Sequence, residues 1–103
     1  VRREVVVKGS GRVSLAAYGM ADAEHQVEKE LRRLWPEARV DVLDVSRPDE
    51  RSRIVEEFAV RFRVRGTVAV EAETEEELRR AAFRVVRERF AGSRYAGIVL
   101  EPG

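Results

Sequence analysis

At 103 residues the chain fits one domain, and with 44% apolar residues it can bury a core without staples. It has no cysteine, which excludes disulfides, zinc–thiolate sites and thiol nucleophiles. Charged residues make up 38%, 20 basic against 19 acidic, so the surface is dense in charge yet nearly neutral and suits ion-pair networks more than a general polyanion trap.

No apolar run approaches the ~20 residues of a membrane span. Arg2 and Arg3 lead into only the short run Val5–Val7, which is no signal peptide. The expectation is a cytoplasmic protein with no membrane partner. The chain holds no asparagine, one glutamine and one methionine, and 18 of its 20 basic residues are arginine. Few thermolabile residues and many charges give a thermophile-type composition.

Residues 3–17 read as one long or interrupted strand. Val5, Val7, Val13, Leu15 and Ala17 share one parity, and Glu4, Lys8, Ser10, Arg12 and Ser14 share the other. Gly9 and Gly11 permit a bulge or a hairpin. A helix follows over about 20–35, with the stripe Ala23, Val27, Leu31, Leu34, Trp35 and a stop at Pro36. Residues 38–46 form a strand whose imperfect alternation leaves its inward face unassigned. Arg47–Arg53 is an exposed, charged loop.

The clearest signal is Phe58–Ala72. Phe58, Val60, Phe62, Val64, Val68, Val70 and Ala72 alternate with Arg61, Arg63, Arg65, Thr67 and Glu71, so one face is buried and the other is charged. A second helix covers about 74–90, opened by a Thr74/Glu77 capping box and carrying Leu78, Ala81, Ala82, Val85, Val86 and Phe90 inward. Gly92 ends it, and 94–100 closes the chain as a strand.

The order strand–helix–strand–strand–helix–strand predicts a single α+β domain over 1–103. It is a ferredoxin-like βαββαβ sandwich with long first and third strands and both helices on one face of an antiparallel sheet. Its halves, about 1–47 and 54–100, align at an offset of 55 residues: Gly11 falls on Gly66, Ala23 on Leu78, Val27 on Ala82, Leu31 on Val86 and Trp35 on Phe90. Fifteen strand residues reach nearly ~50 Å, whereas a sixteen-residue helix reaches ~24 Å. Either the glycines fold each strand into a hairpin, or an overhang is kinked or pairs with another chain. Parity preserved through Gly66 favours the second.

His25, the one histidine, lies off the apolar stripe and reads as a solvated helix residue. Gly9-Ser10-Gly11 between Lys8 and Arg12 resembles an anion nest but matches no phosphate-loop motif, so a bulge or turn is the simpler account. Glu73 and Glu75–Glu77 complement a helix dipole. Tyr18 and Tyr95 read as edge packing with surface hydroxyls. The candidate functional face is Arg61, Arg63 and Arg65, with Lys8 and Arg12 on the neighbouring strand. It reads either as an RNA-phosphate surface or as a solvated or interfacial one. It has no aromatic to stack bases and no match to the RNP1 pattern.

The segment Val68–Ala82 resembles the strand–helix junction of ferredoxin-like and PII-like domains. In composition and pattern the whole chain resembles the small domains of unknown function found in thermophilic bacteria. That resemblance implies no catalytic or binding residue. The leading expectation is a non-enzymatic domain without cofactor or metal, a homodimer or higher homo-oligomer with an interaction or ligand-sensing role. An RNA-binding module using the arginine face stands second. A cofactor-free enzyme of the dimeric α+β barrel type, using His25, Tyr18, Tyr95 or Trp35, stands third.

Overall fold

A computed structural model describes residues 2–47 and 56–103. Its elements are β1 (Arg2–Ala17), α1 (Met20–Leu34), β2 (Arg39–Ser46), β3 (Glu56–Glu71), α2 (Glu75–Phe90) and β4 (Val99–Pro102). The sheet order is β2-β3-β1-β4 and every pairing is antiparallel, the ferredoxin-like arrangement. Apart from Arg47, the loop expected over 47–53 lies outside the described residues.

β1 and β3 pair without interruption from Arg2↔Glu71 to Ala17↔Glu56. Neither folds into a hairpin, and neither carries a bulge opposite the other. Gly9, Gly11 and Gly66 all stand on the inward parity, where large side chains press on the backbone. A Cβ on Gly66 would lie 2.6 Å from Trp35 Cζ2, and one on Gly9 would lie 2.6 Å from Ile98 Cδ1. These glycines are close-approach positions in an extended strand.

The strands exceed either helix, but not both together. α1 leaves the Ala17 end of the sheet and α2 leaves the Glu71 end, and β1 and β3 run in opposite directions. At 1.5 Å per residue the helices measure ~22 and ~24 Å, nearly the ~50 Å of the strands. They lie in line and meet at their C-terminal ends, where Trp35 and Phe90 pack edge to face with centroids 6.3 Å apart. The molecule is accordingly long and thin, 55 × 22 × 18 Å. The inner face is therefore not left bare beyond the helices, and a hydrophobic overhang gives no reason for a second copy.

The helical stripes seat as the periodicity predicts. Ala23, Val27, Leu31 and Trp35 are buried beneath the Ala17 half, and Leu78, Ala82, Val86 and Phe90 occupy the equivalent positions beneath the other. The Thr74 hydroxyl accepts from the Glu77 N–H at 3.2 Å, while the Glu77 carboxylate accepts from Glu73 N–H instead of closing the box on Thr74. Gly92 at φ 74° supplies the left-handed stop.

Two expectations are corrected. The last strand is short, Val99–Pro102, because Ser93 captures the chain after α2. Its hydroxyl donates to Phe90 O at 2.6 Å and accepts from Tyr95 N–H at 3.1 Å, which folds 91–97 into turns. This rolls Tyr95 inward: its ring is buried edge to face with Phe62, centroids 5.3 Å apart. The imperfect alternation of β2 is a bulge between Val42 and Asp44, which keeps Val40, Val42 and Val45 on the inner face.

Candidate nucleic-acid interface

The sheet face opposite the helices is uncovered by any described element. Register alone sets its chemistry. One row across the four strands reads Arg39, Arg65, Lys8, Glu101; the next reads Asp41, Arg63, Ser10, Val99; the third reads Asp44, Arg61, Arg12. Directly opposed side chains in such rows have Cβ atoms ~4.5–5.5 Å apart, and successive rows are ~6.7 Å apart. All five residues expected to form the face are thus brought together: Lys8 faces Arg65 and Arg12 faces Arg61.

Three residues of β2 were missed. Arg39 extends the first row, and Asp41 with Asp44 dilutes the other two. The signal was present as Val-x-Val-x-x-Val over Val40–Val45, a period of two with one residue inserted. Recognising the bulge would have assigned the outward residues of β2.

The first row places three cations side by side, and the third places two. Like charges directly opposed across strands are destabilising. Compensation is partial: Glu101 opposes Lys8 and Asp41 opposes Arg63 across the strands, Arg39 Nε lies 3.8 Å from Asp41 Oδ1, and Arg61 Nε lies 4.0 Å from Asp44 Oδ2, both of these pairs exposed. Lys8, Arg12, Arg63 and Arg65 make no ion pair among the described residues. Lys8, Arg39, Asp41, Arg63, Arg65 and Glu101 surround a shallow concavity of about 420 Å³. No residue of the three rows is aromatic; Phe58 and Phe62 point the other way and are buried.

No known protein family, curated protein or solved structure matches the chain.

The other candidates are scattered. His25 is exposed on α1, Tyr18 is 79% exposed past the end of β1, and Trp35 and Tyr95 are buried in the core. Gly9-Ser10-Gly11 is extended strand, so its amides do not form a nest. Among the described residues no His, Asp or Glu cluster is arranged to hold a metal ion. The Tyr95 hydroxyl donates to Glu30 Oε1 at 3.4 Å, and Arg94 Nε sits 3.4 Å from Glu30 Oε2. Burial, reinforced by the Glu30 carboxylate, raises the Tyr95 phenol well above its usual range. It is a protonated structural group.

Proposed function

We propose that the open sheet face binds the phosphate backbone of a nucleic acid, RNA being the first partner to test, and that the protein is not an enzyme. The row Arg39–Arg65–Lys8 carries this reading. Three opposed cations destabilise the free protein, and a bound polyanion would turn that cost into attraction. Arg61, Arg63 and Arg65 repeat every ~6.7 Å along one strand, a spacing suited to successive phosphates of an extended chain. Without an aromatic platform the face has nothing on which to stack bases, so contact is to phosphate and indifferent to sequence.

The same charges disfavour the dimeric barrel. Its two sheets pack face to face, which would desolvate Lys8, Arg12, Arg39, Arg61, Arg63 and Arg65 of each copy at several kcal/mol per uncompensated ion.

The test is electrophoretic mobility with single-stranded homopolymers. Uridine and adenosine RNAs are expected to bind alike, and the combined variant Arg61→Gln, Arg63→Gln, Arg65→Gln to lose both. An unchanged shift with that variant, or strong preference for one base, would overturn the reading.

A further inference from the structure

Among the described residues, the longest stretch of β1 and the longest stretch of β3 that lack an outer neighbour are nearly equal in length. β4 pairs with β1 only from Val7 to Ser10, so Gly11–Ala17, seven residues, has no outer neighbour among the described residues. β2 pairs with β3 only up to Arg65, so Gly66–Glu71, six residues, has none at the opposite end. Val6 O accepts from Gly103 N–H on the β4 side, which fixes the phase. With a period of two, Arg12, Ser14 and Ala16 of β1 and Thr67, Ala69 and Glu71 of β3 turn their backbone N–H and C=O groups outward. Neither segment carries the proline, bulge or inward charge that usually protects an edge.

We infer that these edges pair with one another between copies of this chain, the β1 edge of one copy against the β3 edge of the next. Four observations converge on this partner. The gaps match in length. Each is bounded by a short outer strand, β4 ending its pairing at Ser10 and β2 starting at Arg65, which leaves one antiparallel register that fills both. In that register Arg12 faces Glu71 of the next copy, Ser14 faces Ala69 and Ala16 faces Thr67, so a charge pair and two small pairs meet on the open face. On the inner face Val13 meets Val70 and Leu15 meets Val68.

The helices supply the fourth observation. This register lays α1 antiparallel beside α2 of the next copy. α1 is acidic in its first turn at Asp22 and basic in its last at Arg32 and Arg33; α2 is acidic at Glu75–Glu77 and basic at Arg87 and Arg89. Each acidic turn therefore meets a basic one. A groove of about 480 Å³ beside α1 is lined by Gln26, Lys29, Glu30, Arg33 and Arg94, and one of its walls, Gln26, reaches the β1 edge by donating from Nε2 to Ala16 O. The groove is positively charged on balance and would receive the Glu75–Glu77 turn.

The contact joins two different patches, so it propagates head to tail and does not close as a two-fold dimer. Sedimentation velocity on the intact chain over a concentration series tests it. Ser14→Pro and Ala69→Pro each remove one outward N–H that the monomer's own sheet does not use. The wild type is expected to form a concentration-dependent series of oligomers, and each variant alone a monomer with an unchanged circular dichroism spectrum. Their equimolar mixture is expected to give a dimer, since each supplies the edge the other lacks. Glu71→Arg, which needs no backbone change, is expected to weaken assembly at least ten-fold. A wild type that stays monomeric at high micromolar concentration overturns the inference. So does assembly abolished by one proline variant but untouched by the other, the signature of a two-fold contact. A mixture that stays monomeric, or unaltered assembly of Glu71→Arg, would equally overturn it.

Discussion

Reversing one charge on β3 is predicted to stabilise the protein, and reversing its neighbour two residues away is predicted not to. Arg65 lies between Arg39 and Lys8, whereas Arg63 lies between Asp41 and Ser10. Arg65→Glu converts two like-charge pairs into two opposite-charge pairs. At ~0.2–1 kcal/mol per cross-strand pair, discounted because the side chains are exposed, the gain is about 1 kcal/mol. Arg63→Glu exchanges one attraction for one repulsion and gains nothing from Ser10. The intrinsic strand preference of Arg against Glu is common to both and cancels.

With the one pair that Arg63→Glu worsens, the gap between the variants is about 1.5 kcal/mol, which corresponds to roughly 6–12 °C in Tm for a domain near this size. Thermal unfolding followed by circular dichroism at low ionic strength measures it. Repeating the scan at about 1 M salt, where the screening length is ~3 Å, should close the gap. An Arg65→Glu variant no more stable than Arg63→Glu at low salt would refute the opposed-cation reasoning. A gap that persists in high salt would show its origin to be other than charge.

Three further outcomes follow from the packing. Gly66→Ala drives a methyl into Trp35 Cζ2 and to 3.1 Å from the Ala38 backbone, so it should cost about 1–3 kcal/mol in urea unfolding and shift the Trp35 fluorescence. Thr74→Ala removes the cap on α2 and should cost about 1 kcal/mol, read by the same titration. The raised Tyr95 phenol keeps its proton in the folded state after the unfolded state has released it. Stability should therefore fall as pH rises above ~10, and Tyr95→Phe should flatten that slope in chemical denaturation at high pH.

Much of the fold could be read from the alternation of Phe58–Ala72 and the two helical stripes, because period and parity are local properties of a chain. What escaped depended on distant residues. A glycine within a strand pattern signals a turn, a bulge or a close approach alike; Trp35 against Gly66 and Ile98 against Gly9 decide for the last, and both are remote in sequence. Comparing each helix singly with the long strands suggested an overhang, whereas the two helices share the length end to end. Arg61, Arg63 and Arg65 were recognisable from β3 alone. That Arg39 and Lys8 flank Arg65 is a matter of register, and the bulge at Leu43 hid the β2 side of it.

The account centres on phosphate binding by the cations of the open face. Fluorescence anisotropy of a labelled single-stranded RNA, titrated at several salt concentrations, tests this most directly. The six cations of the face, Lys8, Arg12, Arg39, Arg61, Arg63 and Arg65, predict a slope of log K against log salt of about −4. The combined variant Lys8→Gln, Arg63→Gln, Arg65→Gln should reduce it to about −2. Binding that ignores salt, or a slope untouched by the three substitutions, would contradict the account.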